Sequence, residues 1–317
     1  MSNYKYSLDR TSKKFQCPNC SKRTLVRYID NISFNYLEPY IGRCDRESKC
    51  GYHQNPKGNM PLVNISEFPT KIIRPSFHDD RVIKDFANNY ENNNFVKYLK
   101  TKFDRVDVIA AVKRYFICTS NHWNGATIFW QIDELMRIKA GKVMLYEAHT
   151  GSRVKQPYSH INWMHKVLKS SSFDSDCSQG LQYKSESNTD VTHNSAFVLR
   201  QCLFGLHLLI DNSYKTIAIV EAEKTAVIMS IFMPCYIWMA TGSKSGLKED
   251  MLKPLKGRKI LAYPDKSCFE DWNAKTKNLG KKGLDIVCGN FLEGTNLNDG
   301  EDLVDYMLSV FDLNFSD

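Results

Sequence analysis

No stretch of this chain is apolar for long enough to cross a bilayer. The longest nearly apolar run, Val227 to Ala240, is 14 residues and is broken by Pro234, whereas a spanning helix needs about 20. The opening stretch, MSNYKYSLDRTSKKF, is polar and charged and lacks the apolar centre of a secretory signal. Membrane and secreted classes are therefore not expected. A bacterial cytoplasmic protein is, and there thiols stay reduced. The 10 cysteines then need a reason other than disulfides. No G-x-x-x-x-G-K-[ST] stretch occurs, so no Walker-type motor is expected. What is present is a foldable composition, 42% hydrophobic, in 317 residues that suffice for one large core or two to three smaller ones. The net charge of +8 favours an anionic partner.

Four cysteines account for themselves. CPNC (Cys17, Cys20) is followed by CDRESKC (Cys44, Cys50) and then GYH. A C-x2-C knuckle with a second cysteine pair at this separation is how a zinc ribbon supplies thiolates to a tetrahedral ion. The second pair encloses five residues, a wider loop than usual, and His53 is an alternative to Cys50 as fourth ligand. Lys13, Lys14, Lys22, Arg23, Arg27, Arg43, Arg46 and Lys49 surround the pairs. They suit phosphate contacts as well as they suit a solvated surface. The other cysteines (Cys118, Cys177, Cys202, Cys235, Cys268, Cys288) stand singly and read as core residues.

The zinc ribbon is expected over residues 1–58. A helical connector and a β-rich middle segment follow over 59–169. HDDRVIKDFANNYENNNFVKYLKTKF reads as two short helices separated at Asn92 to Asn94. Ala126 to Ile132 and Lys142 to Tyr146 read as strands of a β-meander after the Asn124-Gly125 turn. Trp123, Trp130 and Tyr146, beside Arg137, Lys139 and Arg153, are either base-stacking residues or core; such aromatics are more often core. Residues 170–195 are rich in Ser, Asp, Asn and Gln and read as a linker or flexible loop.

Residues 196–317 carry an α/β rhythm. Thr216 to Val220 is a buried parallel strand, Lys224 to Phe232 a helix, Cys235 to Ala240 a strand ending in TGSKSG, and Lys259 to Tyr263 a strand running into Pro264-Asp265. A helix over Phe269 to Leu279, a strand over Leu284 to Val287 and a helix over Glu301 to Phe311 complete it. Alternation of this kind gives a parallel sheet with helices on both faces, and such sheets bind ligands beyond the carboxyl ends of their strands. Glu221 and Asp265 stand at two such ends. Carboxylates from separate strands can converge on a hard cation such as magnesium. Glu223 reads as first-turn charge on the following helix.

AIVEAEKTA resembles the glutamate motif of Toprim domains, the fold shared by bacterial primases, topoisomerases and certain nucleases, and KILAYPD resembles the Toprim strand that bears the aspartate motif. A cysteine zinc ribbon, a β-rich segment (IFWQID…GKVMLYEAHTGSR) and a Toprim domain, in that order, resemble bacterial and phage primases, and most closely the short primase-like proteins of mobile elements. The resemblance implies that Glu221 is a general acid/base or metal ligand and that Asp265 is the first aspartate of an Asp-x-Asp pair, with catalytic magnesium or manganese. The second position of that pair is Ser267, a departure that puts the metal site in doubt. Glu270 and Asp271, or Asp302 and Asp305 on the last helix, are substitutes; Asp302 and Asp305 read equally well as first-turn acids. Lys244 in TGSKSG, with Lys224, Arg153, Lys22 and Arg23, is expected to meet phosphate. Single-stranded DNA and nucleotides are the implied partners. Three activities fit: primer synthesis, phosphodiester hydrolysis by the same acids, and DNA binding without catalysis.

Overall fold

The computed structural model describes residues 5–46, 49–56, 75–171 and 197–314. The expected linker therefore lies almost wholly outside the described residues, as does Cys177. Two compact units divide the chain, Met1–Ile72 and Ile73–Asp317.

The first unit is a small antiparallel sheet. β1 (Tyr6–Leu8), β2 (Phe15–Gln16), β3 (Arg23–Asp30), β4 (Gly42–Cys44) and β5 (His53–Gln54) pair in the order β1-β3-β4-β5, with β2 also on β3. Among the described residues its core is small: Cys17, Leu25 and Cys44 form the buried cluster, with Phe15, Cys20, Cys50 and Tyr52 packed against them. An apolar centre this small does not hold a sheet together unaided; the cysteines have to contribute.

In the second unit, α1 (Arg81–Phe86), α2 (Asn94–Lys102) and α3 (Arg105–Arg114) precede an antiparallel sheet of β6 (Cys118–Ser120), β7 (Ala126–Ile132), β8 (Ile138–Met144) and β9 (Ile161–Trp163), followed by α4 (Met164–Ser171). The sequence reading has two helices before this sheet and missed α3. Its signal was there: Val108, Ala111 and Val112, the buried residues, have helical spacing.

The remaining elements are β10 (Ile217–Val220), α5 (Glu223–Phe232), β11 (Ile237–Ala240), α6 (Glu249–Leu252), β12 (Lys259–Ala262), α7 (Phe269–Gly280), β13 (Asp285–Cys288) and α8 (Leu303–Asn314). The four strands are parallel throughout, in the order β11-β10-β12-β13. β10 is buried at every position and α5 along most of its length, as unrelieved apolar sequence requires. Ala218 and Val220 face a core with α5 and α8, whereas Ile217 and Ile219 face Leu252 and Trp272 of α6 and α7. Helices thus cover both faces of an α/β sheet. The first of these cores also holds Phe95, Phe129 and Tyr146, so the antiparallel sheet and the parallel sheet share one apolar interior.

Burial decides one open reading for the core and corrects another expectation. Trp130 and Tyr146 are core residues, 0% and 3% exposed, not stacking surfaces, and Trp123 is partly buried against His122 and His160. Arg137 is paired with Asp133 at 2.8 Å and Lys139 lies near the same carboxylate. Of the single cysteines, Cys118 and Cys202 are buried as expected, but Cys235 is exposed and Cys268 and Cys288 are only half-buried. Among the described residues no helix is long and apolar enough to cross a membrane.

Candidate functional site

The four cysteine sulfurs of the first unit lie within 4.8 Å of one another. Cys17 Sγ and Cys50 Sγ are 3.7 Å apart, and Cys20 Sγ and Cys44 Sγ 4.0 Å. Tetrahedral thiolates with a metal–sulfur bond of about 2.3 Å stand about 3.8 Å apart, so the donors fit one zinc ion. The knuckle closes through Ser21 N–H to the Cys17 carbonyl at 2.9 Å, with Ser21 in a left-handed conformation at φ 53°. Outer donors orient the ligands: Thr24 Oγ1 is 3.2 Å from Cys44 Sγ, and Asn19 Nδ2 is 3.5 Å from Cys50 Sγ. Cys50 is thus the fourth donor. His53 is engaged elsewhere, its Nε2 3.0 Å from the Tyr28 hydroxyl. Lys22 and Arg23 are exposed beside the knuckle.

The second constellation lies beyond the carboxyl ends of β10 and β12. Glu221 follows β10, and Asp265 follows β12 by three residues. Two lysines hold the loops here. Lys142, on β8, donates to both oxygens of Glu223 at 3.0 and 3.1 Å and to the Gly242 carbonyl at 2.9 Å. Lys142 and Glu223 are both buried, so this ion pair ties β8, the first turn of α5 and the TGSKSG loop together. Gly242 has φ +74° and an added Cβ would stand 3.0 Å from Glu223 Oε1; at Gly246 one would meet the Thr241 carbonyl at 2.4 Å. The loop therefore needs both glycines. Lys266 donates to the carbonyls of Leu292, Glu293 and Thr295 at 2.8–3.1 Å, and its backbone N–H reaches the Glu301 carbonyl at 2.8 Å. It fixes the Asp265 loop to the segment that leads into α8. Neither lysine was found from sequence, because partners 81 residues apart for Lys142 and 26–29 apart for Lys266 leave no local pattern.

Electrostatics join the acids. The Asp265 carboxyl is pushed up to about 8, by burial first and then by the charges of Asp302, Glu221 and Asp305, against the pull of Lys244. Glu221 is also held above its ordinary range by burial, opposed by the Lys244 backbone N–H and the Lys244, Lys142 and Arg153 charges. Asp305 is raised by burial and by Asp302. The expected acids thus share one half-buried region. Among the described residues, however, the only set of three or more metal-ligating side chains with all donor atoms within 4.8 Å is the cysteine set.

Asp302 and Asp305 also serve α8. Asp302 Oδ1 accepts from the Asp305 and Val304 N–H groups at 3.2 and 2.8 Å, and Asp305 Oδ2 accepts from the Asp302 N–H at 2.8 Å. This is a reciprocal capping arrangement, and Asp302 Oδ2 further accepts from the Thr225 hydroxyl. The expected substitutes on α7 do not join the acids: Asp271 pairs with Lys275 at 2.6 Å, and Glu270 is exposed beside Ser267 and Glu293. Ser267 has φ 68°, donates its hydroxyl to Asp299 and its N–H to Glu293 Oε1 at 3.0 Å. Glu293 also accepts the Phe269 N–H at 3.2 Å, so it caps α7 from a distant segment. Of the expected phosphate contacts, Lys244 and Arg153 are exposed at the site, and Lys224 reaches the Gly151 carbonyl at 3.3 Å.

Fold and site define a zinc-ribbon protein whose α/β unit gathers acids at the carboxyl edge of a parallel sheet. The chain belongs to the family described as Domain of unknown function (DUF6371), which matches residues 93–266, and a zinc beta-ribbon finger family matches residues 4–61. No curated protein matches the chain. Among solved structures, it is similar to the primase fragment of the bacteriophage T7 primase-helicase protein, at 14% identity and TM-score 0.36 over 95% of this chain and 97% of that one. It is similar also to the zinc-binding and RNA polymerase domains of the Aquifex aeolicus primase (13%, TM-score 0.35, 75% of this chain and 52% of that one). A third is the DnaG primase catalytic domain bound to ssDNA (14%, TM-score 0.39, 74% and 75%). At such scores nothing about the reaction follows from the likeness.

Proposed function

We propose that this is a primase-like Toprim protein that joins nucleotides on single-stranded DNA with magnesium or manganese held by Glu221 and Asp265. One observation carries the reading: Asp265 stands beyond the carboxyl end of a parallel strand among Glu221, Asp302 and Asp305, and burial first, then their charges, push it up to about 8. Hard oxygen donors in that state fit a divalent cation. When bound, the cation would neutralise triphosphate charge and activate a 3′-oxygen. The protein's own groups do the rest. Lys244 and Arg153 offer exposed positive charge to phosphate, Lys142 and Lys266 hold the loops in place, and the ribbon cations Lys22 and Arg23 meet the DNA backbone. A mobile element or phage is the setting this reading suits, with any helicase a separate chain.

A second reading has its own observation. Ser267 occupies the position of the second aspartate and is bonded to Asp299, and Asp302 and Asp305 already cap α8. DNA binding without catalysis follows if these leave the cluster unable to hold a cation.

Incubating the purified protein with single-stranded DNA, labelled nucleotides and magnesium or manganese decides between them. New oligonucleotides that vanish in Glu221→Gln and Asp265→Asn, by 100-fold or more, support the first reading. Salt-sensitive DNA binding without product in any variant selects the second, and shortened DNA selects hydrolysis.

A further inference from the structure

A row of four rings reaches the surface of the second unit, apart from the acids. Tyr158 stacks on His160 with ring centroids 4.4 Å apart and planes 21° apart. His160 and Trp123 meet edge-on at 5.1 Å, and Trp123 and His122 lie 4.3 Å apart. The inner two support the outer two. His160 is 8% exposed and Trp123 half-buried, whereas Tyr158 is 56% exposed and His122 is exposed as well. His160 covers one face of the Tyr158 ring, so the open area belongs to the other face.

Both carriers of the row are pinned. His122 and Trp123 stand in the turn between β6 and β7. There Ser120 Oγ accepts the His122 N–H at 3.2 Å, and the Trp123 carbonyl accepts the Ala126 N–H at 2.9 Å. Asn162 of β9 fixes the His122 ring: its Oδ1 accepts the Trp163 N–H at 2.8 Å, so its Nδ2 donates to His122 Nε2 at 3.0 Å. Tyr158 rides on a loop closed at its base by two hydrogen bonds. Val154 N–H reaches the Leu145 carbonyl at 3.0 Å, and Leu145 N–H the His160 carbonyl at 3.2 Å. Flat surface held in place in this way binds at low entropic cost.

The charge beside the rings has one sign. Residues 108–132 and 148–171, which carry all four, contain no Asp or Glu, and Arg153 and Lys155 are exposed in the Tyr158 segment. The Arg153 charge also acts on Glu221, so this loop leads from the acids to the rings. Tyr158 is five residues beyond Arg153, at most about 18 Å of chain, a length that about five stacked nucleotides cover. Exposed rings beside cations are the composition of a single-strand site, where bases stack and phosphates meet positive charge. A duplex keeps its base faces inside and has none to offer.

We propose that Tyr158 and His122 hold unpaired bases of a single strand whose backbone runs past Lys155 toward Arg153 and the acids. The direction of the strand rests on the function proposed above; the contact of ring with base does not.

Fluorescence anisotropy of the full-length, zinc-loaded protein with a labelled DNA strand of about twelve nucleotides, without added nucleotides, tests this. A strand with abasic sites in place of its bases carries the same phosphates and should bind at least tenfold more weakly. A duplex of the same length should also be at least tenfold weaker. Tyr158→Ala should weaken the natural strand about tenfold, within the range of one stacked base, and leave the abasic strand unchanged. Tyr158→Phe should restore binding. The slope of log affinity against log salt should stay the same in Tyr158→Ala, because no phosphate contact is lost, and should fall by about 0.7 in Lys155→Ala. Equal affinity for natural and abasic strands, equal affinity for the duplex, unchanged binding in Tyr158→Ala, or a Tyr158→Phe protein as weak as Tyr158→Ala would overturn the assignment. Primer synthesis is not read in this experiment, so an inactive protein that passes it loses the proposed reaction and keeps the ring site.

Discussion

Asp265 is strongly altered by its surroundings, and stability should report it. Its carboxyl loses its proton near 3.8 without the fold and near 8 within it. Between those values the native state holds a proton that the unfolded chain has given up, so stability falls as pH rises through this window and levels off above it. Asp265→Asn removes the effect. The variant should melt with the wild type at pH 4 and above it at pH 9, by about 2–4 °C for each kcal/mol of burial cost and repulsion relieved. Magnesium at pH 9 should raise the melting temperature of the wild type and not of the variant. Parallel pH profiles for the two proteins would show that the surroundings do not perturb Asp265. The place of Asp265 was legible because it follows a buried strand. Ser267 was legible only as a departure; that its backbone is left-handed and its hydroxyl bonded to Asp299 depends on a segment about thirty residues away. Asp302 and Asp305 had two readings in sequence, and the hydrogen bonds now show the cap without removing the charge.

At the scale of elements, strong local patterns were reliable. β10, α5, β11, β12, α7 and β13 all lie within two residues of their expected bounds, because unbroken β-branched runs and helical spacing are properties of short segments. Cross-element charge was illegible, and Lys142 is the example. It sits in a strand whose other residues, Lys139 apart, are buried and apolar or small, on a stretch where a lysine has no local reason to be. Its reason is Glu223. Removing one partner of a buried pair strands the other charge and costs about 3–5 kcal/mol, whereas replacing both removes the penalty. Lys142→Met and Glu223→Gln should each destabilise by that order in denaturant unfolding. The double variant should be less destabilised than the sum of the two by at least 1 kcal/mol, the coupling expected of residues in contact. Additive losses would mean that the pair contributes nothing as a pair. Lys142→Met should also loosen the TGSKSG loop, seen as faster amide exchange at Gly242 to Gly246, since the lysine holds the Gly242 carbonyl.

Across the whole molecule, the two units rest on different physics. The second unit has three sizeable apolar clusters, enough to fold by burial alone. The first has, among its described residues, a buried cluster of three, two of them cysteines, and such a unit takes its folding free energy from the metal. Removing zinc with a strong chelator should therefore unfold residues 15–55 and leave the melting transition of the second unit within about 2 °C of its starting value, a shift small against the total stability of a domain that size. Amide exchange would separate the two, with protection lost in β3 and β4 and retained in β10 and β12. The same logic fixes the ligands. Cys50→Ser should lower zinc content well below one ion per chain, because an outgoing thiolate leaves three donors and an open position. His53→Ala should keep one zinc, since that ring is occupied with Tyr28. A chelated protein that keeps amide protection in β3, or a His53→Ala protein that loses its zinc, would mean that the ribbon is held by something other than its four cysteines.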